Sequence, residues 1–238
     1  MRKRLFLVLA VVCIAAVFAG VFAGCNNGDG KGNGGGDKIF TEGASLEEMI
    51  AAVESAESFT YVLNVKYIFS EENGGEDQYS RYTVQASKNA LVVISEDLNG
   101  ERYREEEWAF IKGDTVYSVY RCNQVYDEEL GEDIIGDEMV TEEVGKFPVA
   151  EMSWPAGEYI KAVFSDLTEK DGEIVADPES DNEWDRVDLH FEGDTLTVAY
   201  VYVNEYGDTE IYEYVLSGIN ATTVVIPEEI LAEMNAAI

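Results

Sequence analysis

The chain has 238 residues, and its 16 basic and 48 acidic side chains give a formal net charge of −32. So large an excess of negative charge repels phosphate groups. It therefore excludes nucleic acid as a partner and keeps the folded part away from anionic lipid headgroups. A single histidine in the sequence excludes a metal site built from several histidines. Cations and basic partners remain compatible with such a surface.

The N-terminus has the composition of an export signal. Basic residues at 2–4 are followed by an almost unbroken apolar run at 5–22, and two small residues stand directly before Cys25. The sequence therefore predicts a signal peptide at 1–24. Residues 25–44 are rich in glycine and asparagine, which predicts a flexible spacer before a single domain at 45–238.

The stretch Val-Phe-Ala-Gly-Cys at 21–25 resembles the lipobox of bacterial lipoproteins, although Phe22 stands where that motif usually has leucine. The resemblance implies a diacylglycerol group on Cys25 and removal of the peptide before it. The domain would then be lipid-anchored to the cell membrane on its extracytoplasmic side. The alternative is an uncleaved transmembrane anchor, because about 18 apolar residues are just enough to span a bilayer.

The domain is predicted to open with a helix and to continue as a sheet. Ser45 and Glu48 match a helix capping box, and apolar residues follow at helical spacing to about residue 58. From Phe59 to Phe69 large apolar side chains alternate with other residues, which predicts a long antiparallel strand. Further strands, separated by turns that contain glycine, asparagine or aspartate, are predicted at 78–87, 91–96, 101–112, 115–122, 186–191, 195–204, 209–217 and 221–226.

Two segments interrupt the strand pattern. The acidic residues 123–149 predict a loop with short helical pieces. Residues 157–170 predict a second amphipathic helix, and Pro227 with the two glutamates after it predicts the start of a last one. The expected fold class is therefore α+β, with a large antiparallel sheet and a few helices.

The order of these elements resembles the LolA/LppX-like superfamily of lipoprotein carriers over about residues 45–227. The resemblance rests on a helix followed by a Tyr- and Phe-rich strand at 45–67, on Lys-Gly-Asp-Thr-Val-Tyr at 112–117, and on Tyr-Val-Leu-Ser-Gly-Ile-Asn at 214–220. It implies an open half-barrel, in which a curved antiparallel sheet encloses helices and leaves an apolar cavity for acyl chains. Members recognise their ligands by cavity shape, so the resemblance transfers no catalytic or binding residue.

Large apolar side chains on two predicted strands are candidates for lining such a cavity. They are Tyr61, Leu63, Val65, Tyr67, Phe69, Trp108 and Phe110. An ordinary core beneath helices has the same appearance, because both arrangements need large apolar residues on one face of a sheet. The sequence leaves the choice between cavity and core open.

No sequence pattern points to catalysis or to a cofactor. The chain has no nucleophile elbow, P-loop, dinucleotide fingerprint or His-Glu-x-x-His motif. Alternating acids at 177–188 are reminiscent of a calcium loop, but Asn182 stands where the glycine belongs, so a solvated acidic loop without metal is expected. Cys122 is predicted to be buried, and His190 is predicted to lie on the surface.

These observations predict a membrane-anchored extracytoplasmic lipoprotein that is not an enzyme and that binds or carries a lipid or another apolar ligand. The alternative is a lipid-tethered sensor or interaction domain that uses the same fold to bind a protein of the cell envelope. An open apolar groove on the sheet would favour the carrier, whereas a sheet face filled by the helices would favour the interaction domain.

Overall fold

The computed structural model describes residues 40, 43–100, 102–127, 130–151 and 160–236, all of which belong to the compact unit Lys38–Ile238. The predicted signal peptide at 1–24, Cys25 and most of the predicted spacer lie outside the described residues. So do residues 152–159, which include the beginning of the second helix, predicted at 157–170. Within the described ranges no helix is both long and apolar enough to cross a membrane.

The described residues form two α-helices and eleven strands. Helix α1 is Leu46–Glu54 and helix α2 is Glu228–Ala236, and short 3-10 helices lie at Val149–Glu151 and Ala162–Phe164. The strands are β1 Phe59–Ile68, β2 Gln78–Ala86, β3 Ala90–Asp97, β4 Arg104–Lys112, β5 Thr115–Asp127, β6 Glu132–Pro148, β7 Leu167–Lys170, β8 Glu173–Ala176, β9 Arg186–Glu192, β10 Thr195–Val203 and β11 Thr209–Ser217. The predicted combination of a large antiparallel sheet with a few helices is confirmed.

Nine strands form one antiparallel sheet in the order β6-β5-β4-β3-β2-β1-β11-β10-β9. One meander contains the first six strands and another contains β9, β10 and β11, and the two meanders join where β1 pairs with β11. Strands β6 and β9 are the two edges, so the sheet is not closed into a barrel. Strands β7 and β8 form a separate hairpin.

The register assigns the residues of the sheet to one of two faces, because side chains alternate along a strand and directly opposed residues of antiparallel neighbours share a face. Tyr61 on β1 lies opposite Val84 on β2. The same row continues through Val93 on β3 to Glu107 on β4. The side of the sheet that carries Tyr61 is called the core face here, and the side that carries Asn64 is called the charged face.

The main core lies on the core face, beneath α1. The helix begins at Ser45, whose hydroxyl accepts the Glu48 N–H at 3.2 Å while the Glu48 carboxylate accepts the Ser45 N–H at 2.9 Å. This reciprocal pair confirms the predicted capping box. Met49 and Val53 of α1 are completely buried against the sheet.

A second segment, at 160–167, completes the cover of the main core. Ile160, Val163, Phe164 and Leu167 are all buried in it, as the predicted apolar stripe requires. On the sheet beneath, the side chains that form the main core include Phe59, Val84, Ala86, Leu91, Ala109, Val116, Leu196, Val198 and Leu216. Burial of this much aliphatic and aromatic surface is the dominant favourable contribution to folding.

A smaller core lies on the charged face, beneath α2. Ile230 and Met234 of α2 pack with Tyr117 and Val119 of β5, and all four side chains are buried. Tyr117 is stacked on Phe110 of β4, with 5.1 Å between the ring centroids. The expectation that the sheet encloses its helices on one face is therefore wrong for α2, which packs on the opposite face from α1.

The prediction of a loop with short helical pieces at 123–149 is wrong. Strand β5 continues to Asp127, and β6 extends over Glu132–Pro148 as the longest strand of the sheet. Two register shifts, beside Arg121 and Gln124, break the period of two that identifies a strand in a sequence. β6 is also an edge strand, and its many acidic residues are of the kind that discourage pairing with a further chain.

Two further predictions fail at short elements. The helix predicted at 157–170 does not continue beyond Phe164, and a strand, β7, begins at Leu167. Asp171 and Gly172 then both adopt positive φ, 56° and 83°, as a type I′ hairpin turn requires. The strand predicted at 221–226 does not form: these residues join no sheet and lead to α2, with Val225 77% exposed.

Candidate functional site

The structure places the first two cavity candidates in the main core. Tyr61 is 8% exposed, and its ring lies against Tyr82 and Tyr214 at centroid distances of 6.5 and 6.0 Å. Leu63 packs against the same cluster and is partly buried. On this half of β1 the apolar side chains therefore belong to a packed interior.

The other three candidates of this segment lie towards or just beyond the far end of β1, and each is partly buried. Val65 is on the core face opposite Tyr212. The Tyr67 ring lies 4.7 Å from the Phe69 ring, and its hydroxyl donates to Asp208 at 3.2 Å. The Phe69 ring also contacts Gly75 so closely that a Cβ there would lie 2.6 Å from it. These side chains are held by neighbours within the fold.

Trp108 and Phe110 do not join the other candidates. Glu107 lies in the same row as Tyr61, so the odd-numbered residues of β4 are on the core face. Trp108 and Phe110 have even numbers and are therefore on the other face. Both rings lie on the charged face, beside the smaller core. The predicted set of seven residues is thus divided between two faces of the sheet.

An aromatic cluster closes the core face over β10 and β11. The Trp184 ring lies 5.1 Å from Tyr200 and 5.5 Å from Tyr212, and Tyr214 packs edge-on against Tyr200 at 5.8 Å. The buried Tyr200 hydroxyl donates to the Val163 carbonyl at 2.6 Å. Burial raises the pKa of Tyr200 far above its usual value.

Trp184 belongs to the acidic loop at 177–188 that is reminiscent of a calcium loop, and this loop is held by a carboxylate outside it. The Asp166 carboxylate accepts hydrogen bonds from Ser180, Asn182 and the Trp184 indole at 2.6, 2.8 and 2.9 Å. These bonds fasten the loop over the main core. Among the described residues no group of three or more acidic, histidine or cysteine side chains is arranged to hold a metal ion.

Carboxylates accumulate on the core face where α1 no longer covers it. Glu105 is only 6% exposed and accepts the hydroxyls of Tyr103 and Tyr120, the latter at 2.6 Å. Burial, followed by the hydrogen bond to Glu105, raises the pKa of both tyrosines. Beside them the buried Cys122 thiol donates to the Gln124 carbonyl at 3.3 Å, so the prediction that Cys122 is buried is confirmed.

Glu107 lies two residues further along the same strand, and its carboxylate forms no hydrogen bond or ion pair with any residue that the structure describes. It shares a row of the core face with Tyr120 and Glu143. Burial, together with the nearby charge of Glu143, raises the pKa of Glu107. This region gathers negative charge, and none of its carboxylates forms an ion pair within the described part of the chain.

The basic residues of the sheet lie on the other side. All the lysines and arginines of the nine strands project from the charged face, as their register with Asn64 and its row shows. They are Lys66, Arg81, Arg104, Lys112, Arg121, Lys146 and Arg186. His190 lies on the same face and is exposed, which confirms its predicted position. The core face of the described sheet has no basic side chain.

Three of these seven cations form ion pairs with acidic side chains of the same face. Lys66 lies 3.5 Å from Glu213, and Arg186 lies 2.8 Å from Asp188. Arg104 binds both Glu96 and Glu106. The charged face therefore alternates in sign, in contrast to the acidic remainder of the domain.

A cleft of about 520 Å³ lies on the charged face, between strands β4, β5 and β6 and the start of α2. Apolar walls come from Trp108, Met139, Pro227 and Ile230. The polar lining consists of one arginine, Arg121, and of Glu106, Glu138 and Glu229. Of these residues the sequence analysis named only Trp108 as a site candidate. Glu138 and Met139 were missed because β6 was predicted to be a loop. Arg121 was missed because a single arginine at the end of a predicted strand is too weak a signal.

Compared with known proteins, the chain matches no family model and no curated sequence.

Proposed function

We propose that this chain is a lipid-anchored, extracytoplasmic interaction domain that binds a protein of the cell envelope, with Cys25 as its acylated anchor. The observation that carries this choice over a carrier of acyl chains is the packing of the core face. Tyr61 and its neighbours hold α1 and the segment at 160–167 against the sheet, so they are not free to line an open cavity.

The charged face supports the same proposal. Its alternating signs suit the rim of a protein–protein interface, where opposed charges set orientation and register. Tyr79 and Leu98 are exposed apolar side chains at one end of it, beside Arg81 and Lys66. An aromatic and an aliphatic side chain next to basic residues are a composition favoured at interfaces.

The proposed kinship with LolA/LppX-like carriers draws support from the order of the elements. A capped helix leads into a long central strand, the sheet is an open antiparallel meander, and helical segments cover one face. The position of α2 on the other face departs from a sheet that encloses its helices. We therefore extend the resemblance to the half-barrel architecture and not to the ligand.

Site-specific photocrosslinking in intact bacteria tests the partner. A photoreactive amino acid at Arg81 on the charged face should yield one defined protein adduct. The same group at Glu47, which is exposed on α1 above the core face, should not. Equal adducts from both positions, or none from Arg81, would contradict an interaction through the charged face.

Lipid extraction tests the alternative, a carrier of acyl chains or lipid. The domain expressed without residues 1–25 and purified without detergent should release no lipid in stoichiometric amount into organic solvent. It should also fail to take up a fluorescent fatty acid. A stoichiometric lipid in the mass spectrum would restore the carrier.

The anchor has its own test. Cys25→Ser should abolish incorporation of labelled fatty acid and release the domain from the membrane fraction. A Cys25→Ser protein that stays in the membrane as a precursor would place the anchor in residues 5–22.

A further inference from the structure

Arg121 is the basic residue of the cleft, and the carboxylate that lies opposite it in the sheet is already bound by other donors. Glu106 lies directly opposite Arg121 in the sheet register. One Glu106 oxygen accepts the Arg104 guanidinium at 2.8 Å, and the other accepts the Trp108 indole N–H at 3.0 Å. Arg121 thus forms no ion pair with any carboxylate in the described part of the chain.

The hydrogen-bonding groups of Arg121 are also incompletely used. Its Nε is buried and has no hydrogen-bond partner among the described residues, and its Nη2 donates only to the Met139 carbonyl, at a long 3.4 Å. A buried donor without an acceptor costs free energy. The buried Nε is out of reach of a ligand, but Arg121 also lines the cleft, and the two Nη groups of a guanidinium can together bind the two oxygens of a carboxylate.

The remaining polar groups of the cleft select against simple anions. Glu138 and Glu229 line the cleft and are exposed, whereas Arg121 and Trp108 are partly buried. A ligand with two negative charges, such as a phosphate monoester or a dicarboxylate, would be repelled by these glutamates. A ligand that carries one carboxylate and one ammonium group meets a partner of opposite charge at each end.

We propose that the cleft binds a free amino acid with an apolar side chain. The ligand carboxylate binds Arg121, its ammonium group faces Glu138 and Glu229, and its side chain packs on the walls formed by Trp108 and Met139. The volume of about 520 Å³ is within the usual range of small-molecule sites. This site goes beyond the proposed partner binding, because it requires neither the partner nor the membrane anchor.

Calorimetric titration of the full chain in detergent micelles tests the proposal, with empty micelles as the blank. The probe is L-leucine. Two analogues each lack one charge: N-acetyl-L-leucine has no ammonium group, and L-leucinamide has no carboxylate. L-leucine should bind saturably, and each analogue should bind at least about tenfold more weakly, because each loses a charge-assisted contact.

Variants assign the contacts. Arg121→Gln should weaken L-leucine binding at least about tenfold, and Arg121→Lys should weaken it too because the planar fork is lost. Arg186→Gln is the matched control, since Arg186 is an exposed arginine on the same face outside the cleft, and it should leave the affinity unchanged. Should the Arg121 variants fail to fold, Glu138→Gln at an exposed position reports on the ammonium contact instead.

Three results would overturn the proposal. They are the absence of saturable heat up to about 10 mM L-leucine, an analogue that binds as tightly as L-leucine, and an Arg121→Gln protein that is folded and binds normally. None of them bears on photocrosslinking from Arg81, so failure of this site and failure of the proposed partner interaction are distinguishable.

Discussion

The two faces of the sheet are built from the same nine strands, yet they differ in what covers them and in the charges they carry. α1, the segment at 160–167 and the Trp184 loop cover most of the core face, whereas α2 covers only part of the charged face. All the basic side chains of these strands are on the less covered side. Because a buried cation without a partner is strongly unfavourable, lysine and arginine are tolerated mainly where solvent or a carboxylate is within reach.

This comparison also separates two kinds of aromatic residue. Tyr61 and Tyr200 are buried by helices and loops, so they contribute to stability. Trp108 borders an open cleft and donates its indole N–H to Glu106, so it is not enclosed in a core. Residues of one chemical type thus differ in role according to the face on which their strand presents them.

The largest difference between the faces is expected at adjacent positions of β11. Leu216 is completely buried on the core face, and Val215 is partly buried on the charged face. Leu216→Ala should lower the free energy of unfolding by about 3 kcal/mol, because it leaves a cavity in the main core. Val215→Ala should lower it by about 1 kcal/mol. Urea denaturation measures both, and equal losses would mean that the charged face is packed as tightly as the core face.

The next largest effect is expected beneath α2. Ile230→Ala should cost about 2 kcal/mol, and the loss should appear as faster amide exchange in α2 while β1 keeps its protection. Asn235→Ala, at an exposed position of the same helix, should stay within about 0.5 kcal/mol of the parent chain. Hydrogen-exchange mass spectrometry reports both helix and strand. Simultaneous loss of protection in β1 would show that the two cores unfold as one.

A smaller effect is expected from one hydroxyl of the core face. Tyr200→Phe removes the 2.6 Å bond to the Val163 carbonyl and leaves that carbonyl without its donor. It should cost about 1 kcal/mol. Tyr202→Phe, two residues along the same strand, is the control and should change stability by less than about 0.5 kcal/mol. Thermal unfolding of the two variants distinguishes them, and identical midpoints would contradict a structural role for the Tyr200 hydroxyl.

The smallest effect concerns charge on the core face. Burial and the neighbouring Glu143 raise the pKa of Glu107 above its ordinary value of 4.5. The folded state therefore holds this proton more tightly than the unfolded state, and stability is lost as the pH rises from the unfolded pKa through the folded one.

Glu107→Gln should consequently make the chain more stable at about pH 7, and the gain should vanish below about pH 4. Glu47→Gln removes one charge at an exposed position and controls for the net charge of the chain. Urea denaturation at both pH values measures the difference. A Glu107→Gln protein that is less stable at neutral pH would indicate that the carboxylate is stabilised by a contact on this face.

Sequence patterns predicted most of the sheet because its signals are local. The capping box at Ser45 and the alternation along β1 each involve a few neighbouring residues. β6 was not predicted because its bulges interrupt the alternation of side chains and its composition is acidic. Only its pairing with β5 identifies it as a strand. The segment at 221–226 has the β-branched residues of a strand, but no neighbouring strand pairs with it.

The sequence by itself determined the α+β class and the strand-rich body, since period and turns are read within a short window, and it predicts an export signal with an acylated cysteine. The tertiary structure alone decided that Trp108 and Tyr61 lie on opposite faces and that Arg121 loses Glu106 to its neighbours. Those outcomes depend on register across several strands and on competition for one carboxylate. Both arise only when distant segments of the chain are brought together.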